Sequence, residues 1–228
     1  MAYARKDQAK LTKNEWDAFV EAINELRSRN AKKPRYRDFV TVHVTAMSHR
    51  GMEWGIHTHM GQLGRNFLAW HRLYLLRFEE RLRELASDVA IPYWDPVADP
   101  GLPRALNKKI LLKRWEIERE WSKDLLPSKK QLGAVLERRK FKPFQLHLES
   151  FHNLVHQAVG GDMRTSASPG DPIFWLHHAN IDRLWAEWQK QHRGAKPPNA
   201  GEKLKPPSMF GGPVSDVLRI NRLGYSYA

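Results

Sequence analysis

Three histidines near the middle of the second half of the chain have a spacing that could hold one metal ion. His152 and His156 are four residues apart, so a helix would present both on one face. His178 follows after a glycine-containing turn, at the start of a second amphipathic segment. Neutral imidazole is the commonest protein metal ligand, and a set made only of imidazoles suits copper, zinc, iron or nickel. These residues indicate a transition-metal site.

The distribution of histidines along the chain supports this interpretation. A single pair with helical spacing is more often an accident of the surface or the core than a binding site. The chain has 11 histidines, however, and seven of them fall within His43–His71 or His152–His156. With the adjacent pair His177–His178, only two histidines remain outside these groups. The pattern favours two metal-binding groups over a random scatter.

The first group begins on a helix predicted over Arg35–Met47. His43 lies one turn after Phe39 on the apolar face of this helix, so its side chain is expected to point inward. Taken alone, such a residue is more often a packed core histidine. Beside the other histidines we take His43 as the first ligand of this group, with His49 as the weaker candidate.

The rest of the first group lies on a loop and a second helix. His71 belongs to the apolar face of a long amphipathic helix predicted over Asn66–Ala86. The preceding segment, residues 51–65, contains four glycines and is predicted to be a loop. This loop offers two further histidines, His57 and His59.

Two stretches around these histidines carry distinctive motifs. The second stretch contains His152-Asn153-x-x-His156, Gly160-Gly161, Asp171-Pro172-Ile173-Phe174-Trp175-Leu176-His177-His178 and Asp182. The first stretch contains Phe67-Leu68-Ala69-Trp70-His71-Arg72, Tyr74-Leu75, Phe78-Glu79 and Pro92-Tyr93-Trp94-Asp95. These motifs resemble the two copper-binding regions of tyrosinases, above all of bacterial tyrosinases, and of related type-3 copper proteins. The resemblance covers most of the chain.

The resemblance implies two copper ions, each bound by three histidines, with O2 as co-substrate. The implied ligands are His43, His59 and His71 for the first ion and His152, His156 and His178 for the second. In the family the loop histidine usually lies nine residues before the helix histidine, but that position holds Gln62 here. We therefore take His59, on a loop three residues longer, and keep His57 as the alternative. Some family members tether this histidine to a cysteine, which a chain without cysteine cannot do.

Two residues beside the ligands are expected to support them. Asp182 lies one turn after His178 and could accept a ring N–H from it, which would fix the tautomer of the imidazole. The alternative is an ion pair between Asp182 and a nearby arginine such as Arg183. His177 points elsewhere on the helix than its neighbour and is expected to orient or pack rather than to bind metal.

Other residues are expected to handle a phenolic substrate. A phenol has a pKa near 10, so its hydroxylation requires a proton acceptor or a metal that acidifies it. In the family a glutamate and an asparagine hold a water for this step. Asn153 matches the asparagine and Glu149 is the candidate glutamate, the alternative being a solvated surface glutamate. Phe174 is expected to line the substrate pocket. The small residues expected to leave its entrance open are Ser166, Ala167 and Ser168.

Composition limits the other possibilities. The 228 residues suffice for one domain, which we predict to span 1–228. The absence of cysteine excludes disulfides and cysteine-bound zinc. No apolar run has the length of a membrane helix, and no signal peptide is evident, so the location stays open between the cytoplasm and export on a partner.

The net charge of +13 is compatible with a polyanionic partner or with a solvated basic exterior. Residues 101–142 contribute 13 Lys and Arg against five Asp and Glu, with interleaved tryptophans. Such a stretch could bind a nucleic acid strand. Because no nucleic-acid motif accompanies it, we favour a loosely helical surface excursion.

The predicted fold is mainly α, with a four-helix bundle that holds the dinuclear site and loop-rich segments that cover it. The four predicted helices are Arg35–Met47, Asn66–Ala86, Glu149–Val159 and Leu176–Gln189. A Tyr-x-Tyr pair at Tyr225 and Tyr227 resembles the end of the catalytic domain in the family, where it packs near an N-terminal arginine. Arg5 would be that arginine here, and no further domain is expected to act as a lid.

The resemblance implies a tyrosinase activity, namely hydroxylation of monophenols at the ortho position and oxidation of o-diphenols to o-quinones. One alternative is a catechol or o-aminophenol oxidase without hydroxylase activity, and another is an O2 carrier. A histidine-rich nucleic-acid-binding protein is the remaining alternative. The expected partners are a phenolic small molecule and, as in many bacterial relatives, a small copper-delivery helper protein.

Overall fold

The computed structural model describes residues 3–59 and 61–228, and these residues are mainly helical. Two three-residue strands, β1 (Tyr3–Arg5) and β2 (Tyr225–Tyr227), pair in parallel. Short 3-10 turns form much of the remaining chain. The α-helices are α1 (Lys13–Arg27), α2 (Tyr36–Met47), α3 (Phe67–Leu85), α4 (Lys109–Trp115), α5 (Lys129–Leu136), α6 (Phe141–Val159) and α7 (Ile173–Gln191).

The four helices predicted around the metal site are α2, α3, α6 and α7, and all four are present. The bounds of α2 and α3 agree with the prediction to within one residue. Helix α6 begins at Phe141, eight residues before the predicted start at Glu149. The buried apolar face already includes Phe144, and Pro143 lies in the first turn, where a missing N–H removes no helical hydrogen bond.

Helix α1 begins with a capping box. The Thr12 hydroxyl accepts from the Glu15 backbone N–H at 3.3 Å, and the Glu15 carboxylate accepts from the Thr12 backbone N–H at 2.9 Å. The residues of α1 that are buried against the core are Phe19, Ala22, Ile23 and Leu26. These contacts give the helix a structural role.

Aromatic side chains join α2, α3 and α7. The rings of Phe78 and Trp175 stack with centroids 3.6 Å apart and an angle of 3° between their planes. Phe39 and Tyr36 of α2 meet Trp175 edge to face. The Tyr74 hydroxyl donates to the Phe39 carbonyl at 2.7 Å. Three of the helices that surround the site are thus held at fixed separations.

The paired strands bring both ends of the described chain onto the bundle. The Arg5 guanidinium lies 3.9 Å from the ring centroid of Tyr225 and donates to the Tyr227 hydroxyl at 2.9 Å. Arg5 is fully buried and also donates to Glu79 of α3 at 2.7 Å. The predicted packing of Arg5 against the Tyr-x-Tyr pair is confirmed.

The basic segment 101–142 contains α4, α5 and an anchored stretch between them. The helical character was predicted, but the segment is not loosely attached. Trp115 and Ile117 are buried, and the Trp115 indole donates to Asn24 at 2.9 Å. The Glu120 backbone N–H donates to the Val159 carbonyl at 3.0 Å, next to the end of α6.

None of the helices in the described residues is long and apolar enough to cross a membrane.

Candidate metal centre

Helices α6 and α7 bring one group of histidines together. The Nε2 atom of His178 lies 3.1 Å from Nε2 of His152 and 3.4 Å from Nε2 of His156. Together with His177, these residues each offer one ring nitrogen within 4.8 Å of the others. We call this group the second cluster. It unites the three histidines predicted to bind the second ion.

The ring orientations in the second cluster are set by the opposite nitrogens. The Nδ1 atom of His156 donates to the Met163 carbonyl at 2.6 Å, and that of His152 donates to the Asn153 side-chain oxygen at 2.9 Å. Because Nδ1 carries the proton in each ring, Nε2 presents a lone pair to the centre of the cluster. This is the arrangement that a metal ion requires.

A second group, here called the first cluster, forms from α2, α3 and the loop between them. His43, His57 and His71 each offer one ring nitrogen within 4.8 Å of the others. The Nδ1 atoms of His43 and His71 donate to the carbonyls of Ser166 and Phe67, at 2.7 and 2.8 Å. Within the described residues, the buried Nε2 atoms of all three histidines have no hydrogen-bond partner. The first cluster therefore gathers three imidazoles, each with a ring nitrogen that no described protein group satisfies.

The prediction that His59 completes the first cluster is wrong, and His57, the alternative, takes that place. His59 is exposed, and its backbone pairs with Gln62 through hydrogen bonds of 3.0 and 2.8 Å. Among the described residues, His59 does not belong to the group of close ring nitrogens that His43, His57 and His71 form. Spacing from His71 could not reveal this, because the course of the loop depends on contacts with α6.

The two clusters face each other. The rings of His71 and His178 stack with centroids 4.3 Å apart, and those of His57 and His152 lie 6.0 Å apart. The Phe174 ring lies between the clusters, 4.0 Å from His178 and 5.2 Å from His43. Ions in both clusters would be close neighbours, with Phe174 as part of the wall.

Burial keeps these imidazoles neutral. Loss of hydration lowers the pKa of His43 to about 3 and that of His156 to about 4. The same cause lowers the pKa of His71, His152 and His178 well below the ordinary value. At neutral pH these rings are therefore uncharged, so a cation would meet no positive charge from them.

Asp182 does not orient His178, contrary to one prediction. Its carboxylate accepts from Tyr225 at 2.7 Å and from Tyr227 at 2.6 Å, and it pairs with Arg5 and Arg72. These partners lower its pKa despite burial, chiefly through the charge of Arg72. The alternative pairing with Arg183 is also absent from the described contacts, since that arginine pairs with another acid.

His177 contacts the second cluster through its ring face. It stacks on His152 with centroids 5.0 Å apart and planes 17° apart. It is fully buried, and neither ring nitrogen has a hydrogen-bond partner among the described residues. These contacts support the proposed packing role, because His178 already occupies the position facing His152 and His156.

The residues expected to serve a phenol have mixed environments. Asn153 is exposed, whereas Glu149 is buried and accepts from the backbone N–H and the hydroxyl of Thr58, both at 2.6 Å. A solvated Glu149 is therefore excluded, and Thr58 is a contact that sequence reasoning missed. Ala167 is exposed, but Ser168 is buried and does not contribute to an open entrance.

The donor set fits copper. The three imidazoles of the first cluster and the four of the second form a nitrogen-only environment, and no carboxylate belongs to either group in the described residues. Main-chain and side-chain oxygens hold most of the rings from behind, as metal-binding histidines commonly require. The site fits a pair of ions, each bound by His43, His57 and His71 or by His152, His156 and His178.

Comparisons with known proteins agree with this site. The family model described as the common central domain of tyrosinase matches residues 33–123 and 105–191. The tyrosinase of Streptomyces glaucescens is 35% identical, over 84% of this chain and 84% of that protein. The tyrosinase of Streptomyces antibioticus is 33% identical, over 95% of this chain and 90% of that protein.

Solved structures show the same fold. Deoxygenated hemocyanin from Rapana thomasiana superposes with a TM-score of 0.77 and 24% sequence identity, covering 99% of this chain and 69% of that one. The fold and the paired histidine clusters define a type-3 dinuclear copper protein. This chain belongs to the tyrosinase family, whose members use two copper ions and O2.

Proposed function

We propose that the protein is a tyrosinase that hydroxylates monophenols at the ortho position and oxidises o-diphenols to o-quinones with O2. The observation that carries the proposal is the pair of histidine clusters that face each other, with the His71 and His178 rings 4.3 Å apart. Each diphenol gives up two protons and two electrons, so two diphenols reduce one O2 to water. Copper ions bound by the two clusters would supply the redox chemistry and the binding of O2.

The protein contributes fixed geometry and a dry wall. Carbonyls of Phe67, Met163 and Ser166 hold three of the rings, so ligand orientation does not depend on the metal. Phe174 is fully buried against both clusters and excludes water from the side of the metal centre that it covers. We propose the exposed Ala167 and the half-buried Ser166 as parts of the entrance through which a phenol ring approaches.

A second candidate is an oxidase of o-diphenols or o-aminophenols that lacks the hydroxylase step. The contacts of Glu149 favour it, because both carboxylate oxygens already accept hydrogen bonds from Thr58. The water-holding role of Glu149 and Asn153 stays a prediction. If the role holds, replacing either residue will impair monophenol turnover more than diphenol turnover.

Incubation of the copper-loaded protein with L-tyrosine and with L-DOPA tests both candidates. Quinone formation from both substrates supports the tyrosinase, and formation from L-DOPA alone supports the second candidate. Reversible O2 uptake without quinone from either substrate would indicate a carrier and contradict both. Loading the metal-free protein with copper salts alone tests the proposed helper protein, which is required only if free copper fails to restore activity.

A further inference from the structure

One face of α6 carries four polar side chains in line. Gln145, Glu149, His152 and His156 occupy positions i, i+4, i+7 and i+11, which a helix places on one stripe. Gln145, Glu149 and His152 are each at most 3% exposed. The two histidines belong to the second cluster. The other two side chains point to the loop that supplies His57 to the first cluster.

Glu149 holds the residue next to His57. Its Oε1 accepts from the Thr58 backbone N–H and its Oε2 accepts from the Thr58 hydroxyl, both at 2.6 Å. Oε1 also lies 3.7 Å from Nδ1 of His57. Hydrogen bonds to an ionised carboxylate are about twice as strong as those between neutral groups. Because the carboxylate is buried, leaving it without these donors would be unfavourable.

Gln145 holds the other limb of the same loop. Its side-chain N–H donates to the Gly64 carbonyl at 3.0 Å, and the Gly64 backbone N–H donates to the Thr58 hydroxyl at 3.0 Å. A Cβ atom at Gly64 would lie 2.7 Å from the His57 carbonyl carbon, so the two limbs touch. The loop is folded on itself and fastened to α6 at two successive turns.

His57 needs such a support more than the other ligands do. His43, His71 and the second-cluster ligands are carried by helices, whereas His57 lies on a loop without regular structure. The chain has no cysteine that could fasten this histidine covalently. A ligand that is not held in advance loses affinity because metal binding must then order it.

We propose that Glu149 and Thr58 form a clip that positions His57, so that one stripe of α6 sets the place of ligands in both clusters. The proposal rests on the proposed copper function of these clusters. It assigns Glu149 a positioning role through Thr58, which differs from the water-holding role that the family resemblance implies. Because His152 lies on the next turn of the same helix, the clip fixes the separation between His57 and His152, whose rings lie 6.0 Å apart.

The test compares Thr58→Val with Thr58→Ser. Valine keeps the shape of threonine but removes the hydroxyl that joins Glu149 and Gly64, whereas serine retains it. We expect Thr58→Val to bind one of its two copper ions about 10- to 100-fold more weakly, while Thr58→Ser binds both like the original protein. Metal analysis gives copper per chain, and competition with a chelator gives the two affinities.

Thr41→Val is the matched control. Thr41 is exposed on α2, and its hydroxyl donates to the Arg37 carbonyl one turn back, so both copper affinities should be unchanged. The helical circular dichroism of each metal-free variant shows whether the fold is intact. If Thr58→Val, folded, binds both ions with the original affinities, the clip is refuted.

Glu149→Gln provides an independent test. The clip predicts the same selective loss of one copper ion, because glutamine lacks the charge and the second acceptor. Two tightly bound ions combined with a loss restricted to monophenol turnover would instead support the water-holding role and overturn the clip. The original protein separates the two proposals: if it binds two copper ions and oxidises L-DOPA, the proposed function stands whether or not the clip does.

Discussion

At the scale of single residues, ring orientation distinguishes the metal ligands from the other histidines. Helical spacing indicated His152 and His156, apolar faces indicated His43 and His71, and the family resemblance selected His178. The structure brings all five into the clusters. The loop ligand could not be predicted, because its place depends on hydrogen bonds to a helix far along the chain. The carbonyl acceptors behind the rings are main-chain atoms, which no sequence motif displays.

The loop ligand can be tested directly. We expect His57→Ala to lose one copper ion per chain and the oxidation of L-DOPA, because the first cluster would keep only two nitrogens. His59→Ala should keep both ions, since its side chain is exposed outside the cluster. Metal analysis of the two purified variants checks this. Copper loss in the His59 variant, with none in the His57 variant, would reverse the assignment.

The buried imidazoles also predict how pH affects the metal-free protein. The pKa of His43 is lowered to about 3 and that of His156 to about 4, from an ordinary 6.5. Above pH 6.5 both rings are neutral whether the chain is folded or unfolded, so stability does not change. Below it only the unfolded chain takes up these protons, and each such group reduces the free energy of unfolding by about 1.4 kcal/mol per pH unit.

Urea unfolding of the metal-free protein measures this effect at about pH 7.5, 6.5 and 5.5, which lie above, at and below the ordinary histidine pKa. The free energy of unfolding should fall less between the first two than between the second and the third, because the unfolded histidines take up most of their protons below about pH 6.5. Equal stability at all three would contradict the burial of neutral rings.

At the scale of elements, the prediction of helix α6 was too short at its beginning. Apolar residues on both sides of the proline in its first turn are buried on one face. Residues 101–142 were predicted to form a loosely helical surface excursion. Its buried contacts depend on the ion pair of Arg119 with Asp171, which lies in the motif at the start of α7. The sequence alone does not show that two residues so far apart in the chain form an ion pair.

The Arg119–Asp171 pair should be essential for stability. The guanidinium makes two hydrogen bonds of 2.6 and 2.7 Å to a fully buried carboxylate, which also accepts from the Ile173 backbone N–H at the start of α7. Arg119→Met leaves that charge buried and unpaired, which should reduce the free energy of unfolding by about 3–5 kcal/mol. Urea titration gives the value.

Arg164→Met is the control for this loss. Its ion pair with Glu120 is exposed, with 36% and 68% of the two side chains accessible, so its removal should change stability by at most about 1 kcal/mol. Similar losses in the two variants would show that burial of the Arg119–Asp171 pair has no special importance.

At the scale of the whole molecule, strands β1 and β2 fasten the bundle from outside. The contact between Arg5 and the Tyr-x-Tyr pair was predicted from motif resemblance. The other partners were not, because Glu79 and Asp182 lie on two different helices and meet only after folding. Arg5 therefore links α3, which carries His71, with α7, which carries His178.

Replacement of Arg5 should destabilise the whole bundle. Arg5→Met removes the cation from between two buried carboxylates, and we expect a loss of about 3–5 kcal/mol in the free energy of unfolding. The neighbouring Lys6→Met removes an exposed pair with Glu15 and should cost at most about 1 kcal/mol. Thermal unfolding compares the stability of the two variants. An Arg5 variant as stable as the Lys6 variant would refute the stabilising role of Arg5 between Glu79 and Asp182.

The main-chain carbonyls behind His43, His71 and His156 have a consequence for engineering the enzyme. Mutation can change the side chains of Ser166, Phe67 and Met163 but cannot delete their carbonyl oxygens. If the half-buried Ser166 forms part of the proposed entrance, a library randomised at position 166 should change substrate choice while the carbonyl behind His43 is kept. Substrate selectivity and copper binding should then be adjustable separately at this position.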